Sequence, residues 1–166
     1  MGAISKLVDA IFFIFFLIVA VSAPLLDSQI TLPTNLFPEL LLNLKKWYIN
    51  EFDDYLVAEK PHFFVGIIWI ELLFQWPLAV LSLYGILTSK PWTRTTCLIY
   101  GASLFTTMGA VLAELKGGGK ALDKMLMIYS PFMGFGILAM LRGLMRQSDS
   151  GVTGRRPTPL PRKKRV

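Results

Sequence analysis

One cysteine and one histidine are all that 166 residues supply of the side chains most used in redox, metal and triad chemistry. Cys97 has no second thiol to pair with, which excludes an intramolecular disulfide and a cysteine-based metal site. His62 alone leaves little for a metal centre or a catalytic triad, so neither a metal nor a cofactor is expected. The chain has no Asn-x-Ser/Thr acceptor and no internal repeat. Charge is also scarce: Asp, Glu, Lys and Arg make up 17% of the residues. The balance is basic, 17 Lys and Arg against 11 Asp and Glu, but much of the excess lies in the last dozen residues. A nucleic-acid partner is therefore not expected of the folded part.

What the chain has instead is apolar length. Hydrophobic residues make up 54% of it, the mean hydropathy is +0.54, and the apolar residues come in long blocks. The block that organises the rest is Phe63 to Leu87, whose one charged residue is Glu71. Twenty or so apolar residues cross a bilayer as a helix. A carboxylate in mid-span costs roughly 2.5–3.5 kcal/mol or more, and such a group usually faces inward toward a partner. Four blocks are long enough to span, at about 7–26, 63–87, 95–115 and 122–145. The fold expected is an all-α membrane protein, a four-transmembrane-helix bundle over 1–146, with a disordered basic tail over 147–166.

The first block admits two readings. Lys6, a short apolar core and Val21-Ser22-Ala23 resemble a cleavable signal peptide, but the apolar run continues through Leu25-Leu26, which favours a retained helix. Residues 27–62 are mixed, and 38–52 read as an amphipathic helix at the membrane interface, with Pro38 in its first turn. Leu40, Leu41, Leu44, Trp47 and Tyr48 fall on one face and Asn43, Lys45 and Lys46 on the other. Eleven Lys and Arg lie on the side of the N-terminus, the 88–94 loop and the tail, against six on the other side. Both termini are then cytosolic and the helical segment between helices 1 and 2 is lumenal. The tail ends Lys163-Lys164-Arg165-Val166, which matches a dilysine retrieval signal of endoplasmic reticulum membrane proteins; a basic tail drawn to anionic lipid is the alternative.

Inside the membrane the polar residues form a short set. Gln75 lies four residues after Glu71, on the same face of a helix. Pro24, Pro77 and Pro131 interrupt three spans, which favours a bundle that opens into a cavity. Pro24 puts Asp27 just past a bend at the lumenal end of the first span. Asp27 and Glu71 in one low-dielectric site cannot both ionise cheaply and can share a proton. Such a pair either holds a cationic amine or moves protons on a substrate.

The ordered set Leu26-Asp27-x-Gln29, Leu32-Pro33, Leu36-Phe37-Pro38, Lys46-Trp47-Tyr48, Glu51-Phe52-x-Asp54, Glu71-Leu72-x-Phe74-Gln75-x-Pro77, Thr106-Thr107 and Tyr129-x-Pro131 resembles the EXPERA family over about residues 5–145. That family takes in receptors for sterols and hydrophobic amines and the emopamil-binding sterol isomerase. The resemblance implies a four-helix fold with a lipid-accessible cavity. It implies that Asp27 pairs with a ligand's amine, that Glu71 hydrogen-bonds to Asp27, and that Gln75, Thr107, Tyr100, Tyr129, Trp47 and Tyr48 line the pocket. It also implies a place in cholesterol homeostasis, homodimers and membrane-protein partners in sterol transport. Phe132 stands where a tyrosine is expected, and Ile67 where the isomerase carries a histidine. The latter favours a non-catalytic binding protein over a sterol double-bond isomerase.

Overall fold

The computed structural model describes residues 3–119 and 123–145. The tail over 147–166, with Lys163 and Lys164 of the expected retrieval signal, lies outside the described residues. Among the described residues all regular structure is helical. Four helical runs are long and apolar enough to cross a membrane: Lys6–Thr31, His62–Leu87, Thr93–Gly117 and Asp123–Leu144. A bilayer offers no partner for backbone N–H and C=O groups, so Phe, Ile and Val, poor helix formers in water, must be helical here.

Two of the four runs are interrupted at the same kind of feature. The first is α1 (Ala3–Ser22), a π-helical turn over Ala23–Asp27, and α2 (Ser28–Thr31). The second is α5 (His62–Ile70), a π-helical turn over Glu71–Gln75, and α6 (Trp76–Leu87). Each wide turn lies beside a proline, Pro24 or Pro77, whose missing N–H unbalances the backbone ladder. In the second turn the Trp76 N–H closes onto the Glu71 carbonyl, five residues back. In the first, the carbonyl that Pro24 leaves without its N–H, Ala20 O, accepts from Trp76 Nε1 of the second run at 3.0 Å, while Ser28 Oγ donates to Pro24 O at 2.6 Å and Gln29 Nε2 to Leu25 O at 2.7 Å. The third proline behaves differently, since α8 (Asp123–Leu144) stays α-helical through Pro131. The first run extends past the expected end at residue 26 and stops where Leu32, extended before Pro33, leaves the helix.

Between the first two spans lie a 3₁₀ turn (Thr34–Leu36), α3 (Glu39–Phe52) and α4 (Tyr55–Glu59). Pro38 caps α3 from outside with ψ 151°, one residue before the first turn where the sequence puts it. Asp53, with φ 50°, ends α3 in the left-handed region that aspartate tolerates. No residue of α3 is buried, and Leu40 is 77% exposed, so the start of its apolar face lies at the surface.

Helix α7 (Thr93–Gly117) and α8 form the tightest pair. A Cβ placed on Gly101 would lie 2.7 Å from both Gly136 O and Met140 N, so only hydrogen fits at that crossing. α1 packs on α6, and α6 on α7. Phe15 of α1 stacks on Phe135 of α8 with centroids 4.2 Å apart, and the Arg142 guanidinium donates to the Asp9 carboxylate.

The apolar interior is split in two. One core gathers Phe12, Phe15, Phe16, Ala79, Cys97 and Ala139 with Val19, Tyr100 and Leu104. The other gathers Leu56, Val111, Leu115 and Met125 with Ile30, Phe64 and Ile68. The last three residues of each set also line one cavity, which therefore sits between the two cores.

Candidate functional site

The cavity has a volume of about 420 Å³, within the range of small-molecule sites. Its wall is mostly aliphatic and aromatic, from Ile18, Leu26, Ile67, Met108, Ile128 and Phe132 among others. All eight residues singled out from the sequence, Asp27, Glu71, Gln75, Thr107, Tyr129, Tyr100, Trp47 and Tyr48, line it.

Both acids sit on the π turns. Asp27 is the last residue of the first and Glu71 the first of the second, and the two turns pack against each other. π turns within α-helices frequently mark functional sites because they redirect side chains. Asp27 and Glu71 feel one another electrostatically. Two carboxylates offer only acceptors unless one is protonated, so a single proton shared between them is what would let one donate to the other. No described protein donor reaches either of them, so their oxygens are left to whatever occupies the cavity.

Gln75 also departs from expectation. A π turn takes more residues per revolution than an α turn, so residue i+4 no longer stacks under residue i. Gln75 is buried and turns to α7, where its Nε2 donates to Ser103 Oγ at 3.0 Å and Thr107 Oγ1 at 3.3 Å. Thr107 in turn donates to Leu104 O at 3.1 Å. Tyr100 is buried with its ring edge against Phe15 and Phe16.

The residue that sequence reasoning passed over is Asp54. It is fully buried and caps α4, with Oδ1 accepting from Leu56 N at 3.0 Å and Val57 N at 3.2 Å. Its Oδ2 accepts from the Tyr48 hydroxyl at 3.0 Å and the Tyr129 hydroxyl at 2.8 Å. One carboxylate thus ties α3 and α4 to α8 and orients two tyrosines of the cavity wall. Burial, and then the Asp54 charge, push the Tyr48 phenol well above its usual pKa, so it stays a donor. Trp47 lines the cavity while 57% exposed, the position of a ring that faces both cavity and surroundings.

Lys45 is not on a free polar face, as the helical pattern suggests. It lines the cavity, half-buried, and its Nζ donates to Gln29 O at 3.1 Å. Lys60 Nζ donates to the same oxygen at 3.2 Å. Gln29 is itself fully buried, and among the described residues its side-chain Oε1 has no hydrogen-bond partner.

His62 is exposed at the start of α5, and the described residues contain no cluster of His, Cys, Asp and Glu suited to a metal. Phe132, where a tyrosine was expected, contributes a ring without a hydroxyl to the wall. Ile67, at the position of the isomerase's histidine, lines the cavity as a hydrocarbon.

Comparison with known proteins agrees with this architecture. The chain is 31% identical over 119 residues to Sigma intracellular receptor 2 of Xenopus tropicalis, covering 71% of this chain and 70% of that one. It is 38% identical over 89 residues to Sigma intracellular receptor 2 of Homo sapiens, covering 53% of this chain and 51% of that one. Residues 40–143 match the family described as EXPERA, the expanded EBP superfamily. With four apolar spans, a cavity holding two acids on paired π turns, and these relatives, the chain belongs to the EXPERA family.

Proposed function

We propose that this protein is a receptor of intracellular membranes for sterols and hydrophobic cationic amines, with Asp27 as counter-ion and Glu71 as its proton-sharing neighbour. The observation that carries the reading is the pair of carboxylates facing an apolar cavity with no described protein donor on either. A cationic amine supplies the missing positive charge and N–H donor, and its hydrocarbon body fills the aromatic wall. A sterol uses the same wall. The relatives named as receptors support a binding role. The balance of Lys and Arg supports cytosolic termini, and the Lys163-Lys164 ending supports residence in the endoplasmic reticulum, where such a receptor would serve sterol homeostasis.

A second reading, a sterol double-bond isomerase, is favoured by the same acid pair. Against it stands Ile67, which offers no proton on its part of the wall. Complementation of an isomerase-deficient strain, with sterol analysis, separates the two.

The test of the leading reading is equilibrium binding of a labelled hydrophobic amine to purified protein in lipid nanodiscs. Asp27→Asn and Glu71→Gln should each weaken binding about tenfold or more, as loss of a charge-assisted contact requires. A neutral carbon isostere of the amine should bind weakly to the unmodified protein and be indifferent to both changes. Amine affinity unchanged from that of the unmodified protein in both variants would refute the site.

A further inference from the structure

The Lys45–Lys60 pair is the strongest feature that amine binding leaves unused. Two ammonium groups from different elements, α3 and the residue capping α4, converge on one backbone oxygen, Gln29 O, at 3.1 and 3.2 Å. That oxygen sits in the last turn of the first span, and lysines commonly satisfy such carbonyls. One lysine would do so. A second brings a like charge into contact with the first, and among the described residues neither is ion-paired with a carboxylate. Lys45 is also part of the cavity wall, whereas Asp27 and Glu71 form no ion pair with it.

We propose that Lys45, in the cavity wall, and Lys60, which meets it at Gln29 O, form an oxyanion-holding site at the edge of the cavity, so that it accepts amphiphiles bearing a carboxylate, sulfate or phosphate. The inference rests on the reading of the cavity as a ligand chamber. A group with two or three oxygens bridges two ammoniums that a single carbonyl oxygen can only share. It neutralises their mutual repulsion and forms short, charge-assisted hydrogen bonds. Burial and the Lys60 charge bring the Lys45 ammonium down to about 8, as expected of a cation short of counter-charge. The cavity then has two sites of opposite charge: paired acids on the π turns for a cationic head, and, at its edge, the ammoniums of Lys45 on α3 and Lys60 after α4 for an anionic one. An amphiphile with a single charge would place its head at one or the other according to its sign.

The experiment compares a sterol 3-sulfate with the same sterol as the free alcohol, on full-length protein in nanodiscs of zwitterionic lipid. The sulfate is expected to bind about tenfold more tightly than the alcohol. Lys45→Gln with Lys60→Gln should bring that ratio near one, and Lys45→Arg with Lys60→Arg should keep it. The ratio reads the charge contact, since a change that merely loosened α3 would weaken both probes together. A ratio of one in the unmodified protein, or a ratio that survives the glutamine pair, overturns the proposal. A labelled amine measured on the same preparation separates the two ideas. If the amine binds and the ratio is one, only the lysine site falls; if neither probe nor amine binds, the chamber falls with it. Repeating the measurement in nanodiscs containing phosphatidylglycerol identifies the natural source of the oxyanion. Competition by that lipid assigns it to a phospholipid headgroup, and its absence to a free amphiphile; either supports the site.

Discussion

Replacing Asp54 by alanine removes four hydrogen bonds from a fully buried carboxylate. Loss of the α4 cap costs about 1 kcal/mol. Loss of a charged acceptor for the Tyr48 and Tyr129 hydroxyls costs about 1.5 kcal/mol each at the low end for such bonds. The total is about 4 kcal/mol. For a chain of this length, 1 kcal/mol moves the thermal midpoint by about 2–4 °C, so the midpoint should fall by roughly 8–16 °C. Asp54→Asn keeps an oxygen for the cap and should lose about half as much. Thermal unfolding in detergent micelles, followed by circular dichroism, measures both. The decisive assay is a double-mutant cycle. Tyr129→Phe should cost several degrees in the unmodified background and almost nothing once Asp54 is alanine, because the partner has gone. A midpoint within about 2 °C of the parent for Asp54→Ala, or full additivity with Tyr129→Phe, would show that this carboxylate does not join α3 and α4 to α8.

Two further outcomes follow from other parts of the molecule. Gly101→Ala forces a Cβ within 2.7 Å of the α8 backbone and should destabilise by about 1–3 kcal/mol, whereas Gly66→Ala, with nothing within 4 Å of the new atom, should be neutral or stabilising by up to about 1 kcal/mol; the same thermal assay checks the pair, and equal midpoints would contradict the close α7–α8 crossing. Desolvation, then the Lys60 charge, lower Lys45 from 10.5 to about 8, so between about pH 8 and 10.5 the unfolded chain holds a proton that the folded one has released. Stability should therefore rise with pH across that window, and Lys45→Gln should flatten the rise; parallel midpoint curves for the two proteins would mean that Lys45 is not desolvated.

The four spans are legible because length and hydropathy alone require helices of that size in a bilayer, and the block around Glu71 needs no finer argument. Pro24 and Pro77 announce a disturbance but not its kind. A kink and a π turn begin from the same missing N–H, and what separates them is where the freed carbonyl finds a donor, which for Ala20 O is the indole of Trp76 on another span. For that reason the Glu71–Gln75 pairing expected from α-helical spacing is not formed. Asp54 carries a local signal, an aspartate preceding a short helix, and its cap could have been read. Its tyrosine partners could not, since Tyr129 lies 75 residues away and only the fold brings it near. Lys45 was misassigned because an amphipathic pattern sorts residues by polarity, and a long ammonium side chain on the polar side can still bend into a cavity wall.

The division of the interior into two cores bears on how choosy the molecule is. Leu72 and Met108 pack against both, so the two blocks are tied to one another across the gap. Its width is then held by the packing on either side. If the gap is a ligand chamber, as proposed, a guest must first match that breadth, and only then does the charge it brings matter.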